Sequence, residues 1–296
     1  VDGKPNVMFS SNPSQIFKAM PASAVKSIEV VTNPGAKYDA EGVGGVLNII
    51  MNTGDGKSKA KMNGYNGSVA LTLGNNGSRT TTFFSGQQGK LTYSANVMGV
   101  KFKSSGTETE MRRTSSDGSA MSYWQKGNTK INFTMANISL GYELDSMSNI
   151  GATFGLTSHK MKNDGHPTTT FSGGAYGTGF TYGNEMTMEN KSTSFNGSVD
   201  YQRFFNKART SSLTLSYLFT TSPAENNNRR IYDALPAGVS IPLIDLYSAA
   251  KMRGTEHTVQ VDFTTPLAKG QTLSTGLKFI SHRNSSDSKF YDITDD

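Results

Sequence analysis

Cysteine is absent from the 296 residues of this chain. Disulfide frameworks and metal sites built on thiolates are therefore excluded. The sequence also lacks any run that approaches the about 20 apolar residues needed by a membrane-spanning helix. These two absences exclude a disulfide-stapled domain and a helical membrane protein. They do not exclude a membrane β-barrel, because barrel strands alternate apolar and polar residues and have a low mean hydropathy.

A concentrated patch of positive charge is missing as well. The net charge is +6, from 29 basic and 23 acidic residues. A nucleic-acid-binding protein would gather such charge on one surface. Here the Lys and Arg residues are spread along the chain, with adjacent pairs at Arg112-Arg113 and Arg229-Arg230. We therefore expect no nucleic-acid partner.

Residues 1–52 combine helical and strand patterns. A short helix is predicted at 15–20, where Asn12-Pro13 precedes it and Pro21 follows it. Strands are predicted at 28–32 and 46–50, both rich in β-branched residues. We predict a small mixed α/β region here.

From about residue 61 the helical period disappears and β-rich segments alternate with Gly, Ser, Asn and Asp. One side of each segment is apolar, and the other carries Thr, Ser, Gly, Asn, Gln and Asp. A soluble sandwich would usually place Lys and Glu on its wet side, whereas a barrel lumen accepts small neutral polar residues. The apolar rows include Leu91, Tyr93, Ala95 and Val97, then Ile150, Ala152, Phe154 and Leu156, and later Leu213, Leu215, Tyr217 and Phe219.

The spacing between these segments alternates between short and long. Short links are predicted at 145–148, 205–208 and 266–270, and long links at 104–127, 160–191 and 222–254. Outer-membrane barrels have short periplasmic turns and longer extracellular loops. The sequence therefore predicts an antiparallel transmembrane β-barrel meander. About nine or ten strands are expected, which is a partial barrel, with a small α/β region at its N-terminus.

A family resemblance lies in the segment 20–50, which reads MPASAVKSIEVVTNPGAKYDAEGVGGVLNII. Its IEV strand, Pro-containing turn, Tyr-x-Ala before a Gly-rich bend and final LNI strand resemble the end of the plug domain of TonB-dependent receptors, most of all the Bacteroidetes-type branch. The opening VDGKP resembles an earlier plug strand. Residues 257–267 resemble a barrel strand and turn of the same families.

The resemblance implies a domain order. Residues 1–52 correspond to the C-terminal part of the plug, 53–63 to a linker, and 64–296 to the N-terminal half of the barrel. The chain is then a fragment of a receptor of about 22 strands whose lumen is blocked by the plug. TonB would engage a region that precedes Val1.

The same resemblance implies a function at the cell outer membrane. We expect a receptor that transports a scarce nutrient, such as an iron chelate, glycan or peptide, and that contacts outer-membrane lipid and lipopolysaccharide. No nucleophile with a partner base stands out in the sequence, so we expect no enzyme activity and no cofactor. The alternative is a surface adhesin or interaction protein that uses the same barrel without transport.

Candidate site residues fall into three groups. The four histidines have no metal-type spacing, so no metal site is expected. The Gly-rich bend is followed by a strand rather than a helix, which argues against a phosphate-binding loop. The acids beside the bend are expected to form hydrogen bonds or ion pairs between plug and barrel wall, and the alternative is that they ligate a cation or act as an acid/base pair. In the predicted external loops the alternative for the arginines is solvated charge, and the alternative for the Tyr-Trp pair is an interfacial aromatic girdle. The plug–barrel contacts are Tyr38, Asp39 and Glu41, the bend glycines are Gly42, Gly44 and Gly45, and the substrate-binding candidates are Arg112, Arg113, Tyr123, Trp124, His166, Arg229 and Arg230.

A partial barrel exposes two strand edges and an apolar face. Unpaired edges are templates for further strands, and large apolar faces promote association. We expect the isolated fragment either to self-associate, to require detergent, or to curl its sheet on itself.

Overall fold

The computed structural model describes residues 25–31, 46–51, 63–239, 242–268 and 271–293. Within these ranges the chain is almost entirely strand, and its single helical element is a 3-10 turn at Gly174–Tyr176. No helix in the described part has the length and apolar character to cross a membrane. Several predictions lie outside the described residues: the helix at 15–20, and Tyr38, Asp39, Glu41, Gly42, Gly44 and Gly45.

Two strands form a small separate sheet. Strand β1 is Val25–Val31 and β2 is Val46–Met51. They pair antiparallel, with Ile28 opposite Ile49, and Ile49 is buried. The predicted strands are confirmed over 28–31 and 46–50, while their assignment to a plug domain stays a prediction.

Nine further strands form one antiparallel sheet in which every strand pairs with its neighbour in sequence. The predicted meander is confirmed, and each predicted strand is present. Strands β3 and β11 are the two edges of the sheet in the described part. The strands are β3 Gly64–Gly74, β4 Gly77–Gln88, β5 Leu91–Thr114, β6 Ala120–Asp145, β7 Ser148–Ser172, β8 Phe180–Phe204, β9 Ser212–Tyr232, β10 Leu246–Ala268 and β11 Gln271–Asp292.

The register joins like residues into rows that cross the sheet. Ala95 lies opposite Ile138, Ile138 opposite Phe154, and Phe154 opposite Gly197. One residue along, Ser94, Ser139, Thr153 and Ser198 form the neighbouring row. Because successive side chains of a strand point to opposite faces, the alternating sequence gives one apolar and one polar face.

Burial shows how the sheet curves. On the apolar face Ile138 is 49% exposed and Phe154 53%, although both are flanked by strands on each side. On the polar face Ser94 is 2% exposed and Gln202 5%. Side chains crowd together inside a curved sheet and spread apart outside it. We call the polar side the concave face and the apolar side the convex face.

The links between strands lie at two ends of the sheet. The turn end carries 89–90, 146–147 and 205–211, and the loop end carries 115–119, 173–179, 233–239 and 242–245. The prediction of long loops at 104–127, 160–191 and 222–254 is wrong, because most of these residues are strand. Beyond a membrane both faces of a strand contact water. The apolar alternation ends there, but the backbone hydrogen bonds continue.

The 146–147 turn is held by an aspartate. Oδ1 of Asp145 accepts a hydrogen bond of 2.7 Å from the Met147 backbone N–H, and Arg203 donates one of 2.9 Å to its Oδ2. The hydroxyl of Ser148, then the Met147 N–H and Arg203, hold the pKa of Asp145 below its usual value. This exposed turn therefore ties β6, β7 and β8 together at the turn end.

Candidate functional site

Aromatic rings gather on the concave face at the loop end of β7 and β8. Phe171 and Phe180 are opposite each other in the register and flank the 173–179 link. Their ring centroids are 5.3 Å apart, and Phe171 lies 4.8 Å from Tyr176 and 6.4 Å from Tyr182. Gly179, with a φ of +81°, sits against the backbone of Phe171, where a side chain would clash. The link thus folds tightly enough to bring the rings together. We call Phe171, Tyr176, Phe180 and Tyr182 the aromatic cluster.

An arginine and a second tyrosine continue this surface onto β9. The ring of Tyr232 meets that of Tyr182 edge to face at 5.8 Å. Nη1 of Arg230 donates to the Tyr232 hydroxyl at 3.3 Å, and Nη2 lies 3.9 Å from the sulfur of Met186. Arg230 is only partly exposed. The guanidinium is therefore held beside the rings, with three of its five N–H donors free of these two contacts.

Asn184 adds an unused donor at the same level. It pairs with Tyr232 in the register and is 5% exposed. Its Nδ2 has no hydrogen-bond partner among the described residues. A buried polar group without a partner is costly, about 1–3 kcal/mol. A bound molecule, water or another protein segment that accepts this hydrogen bond would remove the cost.

Other unpartnered polar atoms share the concave face. By register they all belong to the polar rows, at heights from the turn end to the loop end. The concave face is thus polar and incompletely satisfied within the described part, as expected of a surface that meets water or a further protein segment. These side chains are Ser85, Asn96, Asn149, Asn163, Asn184, Gln202 and Asn228.

Tyr123 brings a phenol to this surface from β6. Its hydroxyl donates a 2.6 Å hydrogen bond to Oε1 of Gln125. Burial raises the pKa of Tyr123, and the positive charge of Arg230 opposes this shift. The phenol therefore stays neutral at physiological pH and lies within the field of Arg230. Tyr123, Arg230, Tyr232, Asn184 and the aromatic cluster together form what we call the concave site.

The seven substrate-binding candidates all lie in strands rather than in loops, so their predicted placement was wrong. Neighbouring residues of a strand face opposite sides, and each adjacent pair is therefore divided. Three of the candidates lie on the concave face, namely Arg113, Tyr123 and Arg230. The other four lie on the convex face, namely Arg112, Trp124, His166 and Arg229. Of the seven, the structure brings Tyr123 and Arg230 into one site.

His166 has a structural partner instead. Its Nε2 lies 3.3 Å from Oδ1 of Asp233 on the convex face. A side chain at Gly183, which lies between them, would collide with both Asp233 and His166. Among the described residues, no group of three His, Asp or Glu side chains is placed to hold a metal ion.

Most of the concave site was missed at the sequence level. Phe171, Tyr176, Phe180, Tyr182, Tyr232 and Asn184 fall in segments interpreted as loops. The signal that was available is an aromatic residue on each side of the glycine-rich stretch 173–179, followed by a further aromatic two residues later. That pattern is typical of a hairpin whose two strands share an aromatic face.

The comparison with known proteins is consistent with the nine-stranded antiparallel sheet. Residues 203–296 match the model of the outer membrane protein beta-barrel family. No curated protein matches the chain. Among solved structures, the ferric citrate transporter FecA in its unliganded form is 12% identical, with a TM-score of 0.22. BamA from Haemophilus ducreyi lacking POTRA domains 1-3 is 8% identical, with a TM-score of 0.13.

Coverage differs between the two structures. The FecA match spans 92% of this chain and 47% of FecA, so the chain corresponds to about half of that protein's length. The BamA match spans 95% of this chain and 79% of BamA. The nine-stranded meander and the match of residues 203–296 identify the fold. This is an antiparallel β-barrel protein of the outer membrane, and the described chain forms nine neighbouring strands of its wall.

Proposed function

We propose that this protein is a TonB-dependent receptor that takes up a scarce nutrient and first binds it at the concave site. The observation that carries the proposal is the meeting of Arg230, Tyr232, Tyr182 and the unpartnered amide of Asn184 on the lumen side of the wall. A structural wall needs neither an unused buried donor nor a partly buried guanidinium. In a ligand-binding surface both groups would contact the ligand.

The concave site offers two kinds of contact. The aromatic cluster presents flat apolar rings, one of which, Tyr176, is 43% exposed. Arg230 and Asn184 present hydrogen-bond donors within the same region. Rings pack against flat or apolar parts of a ligand, and a guanidinium pairs with carboxylates or phosphates. The ligand that fits is an anion with a flat or apolar part, a chemistry found among iron chelates, acidic glycans and peptides.

The plug resemblance supports the transport part of the proposal. The strands Val25–Val31 and Val46–Met51, which include the two strands of the segment that resembles a plug, pair antiparallel. In the implied mechanism the plug closes the lumen, and TonB opens it at the expense of the inner-membrane proton gradient. The concave site lies at the loop end, where longer links are typical of the extracellular side.

Uptake measured in matched strains tests this function. We expect a strain lacking the protein to lose growth on one nutrient among defined iron chelates, glycans and peptides, and a strain lacking TonB to lose the same growth. Restoring the gene should rescue only the strain that retains TonB. If the strain without TonB still took up the nutrient through this protein, the receptor proposal would fail. Partner binding without any uptake would identify the adhesin alternative.

A further inference from the structure

Six lysines occupy two adjacent rows of the convex face. In the first row Lys101 and Lys160 both lie opposite Asn132, and Lys160 lies opposite Lys191. The second row runs parallel to the first and ends at Glu189. We call this set the lysine belt. It consists of Lys101, Lys103, Lys130, Lys160, Lys162 and Lys191.

The lysine belt borders the apolar band on its loop-end side. Along β7, Ile150, Phe154 and Leu156 face outward, then Ser158, then Lys160. Lys160 follows Ile150 by ten positions. A tilted barrel strand crosses the hydrocarbon layer in about 9–11 residues. This spacing therefore puts the lysine belt at the height where lipid headgroups begin.

Charge is sorted by height on the convex face of β5 to β8. Within the belt rows of β5 to β8, six lysines accompany one carboxylate, Glu189. In the rows closer to the loop end of β5 to β8, acids outnumber the Lys and Arg residues. Solvated strand surfaces would mix both signs at every height. The sorting indicates a negatively charged neighbour at the belt. The acids beyond it are Glu108, Glu110, Asp164 and Glu185, and the bases are Arg112 and Lys126.

Half of the belt forms no ion pair within the described part of the chain. Lys160 and Lys191 share Glu189, at 2.9 and 3.5 Å, and Lys162 pairs with Asp164 at 3.2 Å. Lys101, Lys103 and Lys130 are exposed and form no ion pair with a described residue. Three neighbouring ammonium groups are thus free to bind an external anion.

We infer that the lysine belt binds the phosphate groups of a phosphorylated glycolipid in the outer leaflet, the lipid A part of lipopolysaccharide. Lysine ammonium groups bind phosphate as point charges, and basic residues beside an apolar span attract anionic headgroups. Binding of these phosphates in the outer leaflet would orient the loop end of the sheet toward the cell exterior. This inference rests on the outer-membrane location and not on nutrient uptake.

The experiment compares three forms of the full-length protein in detergent: wild type, the triple variant Lys101→Gln, Lys103→Gln, Lys130→Gln, and a control triple variant. The control, Lys90→Gln, Lys126→Gln, Lys207→Gln, removes the same charge away from the belt. Binding of diphosphorylated lipid A, dephosphorylated lipid A and inorganic phosphate is measured for each form. Conversion of the three belt lysines to arginine serves as a charge-retaining rescue.

We expect the belt variant to bind diphosphorylated lipid A about tenfold or more weakly than wild type, since each headgroup-level lysine contributes to attraction. The control and the arginine variant should bind diphosphorylated lipid A as wild type does. Wild type, the belt variant and the control should all bind dephosphorylated lipid A alike. Unchanged lipid A binding by the belt variant would overturn the inference. So would an equal loss in the control variant, or inorganic phosphate that displaces lipid A at matched concentration, because the site would then be a free-anion site.

Discussion

Arginine in place of Ile138 is expected to destabilise the folded protein in lipid bilayers by about 2–4 kcal/mol, the cost of a basic side chain near the bilayer midplane. Ile138 is 49% exposed on the convex face, between Ala95 and Phe154. It lies about midway between Leu144, near the turn end, and Lys130 in the lysine belt. Its exposure costs little only if lipid covers it. The measurement is the urea-induced unfolding free energy in vesicles.

The adjacent residue provides a matched control. Asn137 is an exposed residue of the concave face, one position from Ile138. Asn137→Arg adds the same side chain at the same height, but toward the lumen. We expect its unfolding free energy to stay within about 0.5 kcal/mol of wild type, as for an ordinary surface substitution. Equal destabilisation by both substitutions would contradict the assignment of the two faces.

Arg230→Gln is expected to weaken nutrient binding about 30-fold, because losing charge-assisted hydrogen bonds to an anion costs about 2 kcal/mol. The guanidinium donates a hydrogen bond to the Tyr232 hydroxyl, and its positive charge acts on Tyr123. Glutamine keeps a polar side chain but removes the charge and the forked donor geometry. The readout is the dissociation constant for the nutrient identified by growth assays.

The neighbouring arginine separates a specific loss from a general one. Arg229 precedes Arg230 in β9 and faces the convex side, so Arg229→Gln removes the same charge from the same strand. We expect binding by Arg229→Gln to match wild type. If the two substitutions weakened binding equally, the effect would be a general loss of charge and the concave site would lose its support.

The strands were predictable because membrane strands carry a strong local signal. Alternation such as Leu91, Tyr93, Ala95 and Val97 reflects a face in lipid and a face in the lumen. Turns such as Ser146-Met147 were also predictable, since polar residues interrupt the alternation there. Beyond the membrane this signal vanishes, and the extensions of β5 to β10 were interpreted as loops. Only the register shows that they are strands.

The concave site was less predictable for a geometric reason. Arg229 and Arg230 look equivalent in sequence, yet the phase of β9 sends one outward and the other inward. That phase is set by pairing with β8 and β10, which a single strand does not reveal. The site also needs Phe171, Tyr182 and Tyr232 from three strands. Their ring contacts depend on the curvature of the whole sheet.

The central claim is that the convex face contacts lipid while the concave face lines an aqueous lumen. Since these 296 residues contain no cysteine, single cysteines can be introduced one at a time along β6 and spin-labelled. The measurement is the collision rate of each label with oxygen, which dissolves in lipid, and with a nickel chelate, which dissolves in water. We predict that labels at Ile138, Leu140 and Tyr142 collide mainly with oxygen, and those at Asn137, Ser139 and Gly141 mainly with the chelate. Equal chelate collision rates along the whole series would contradict the account.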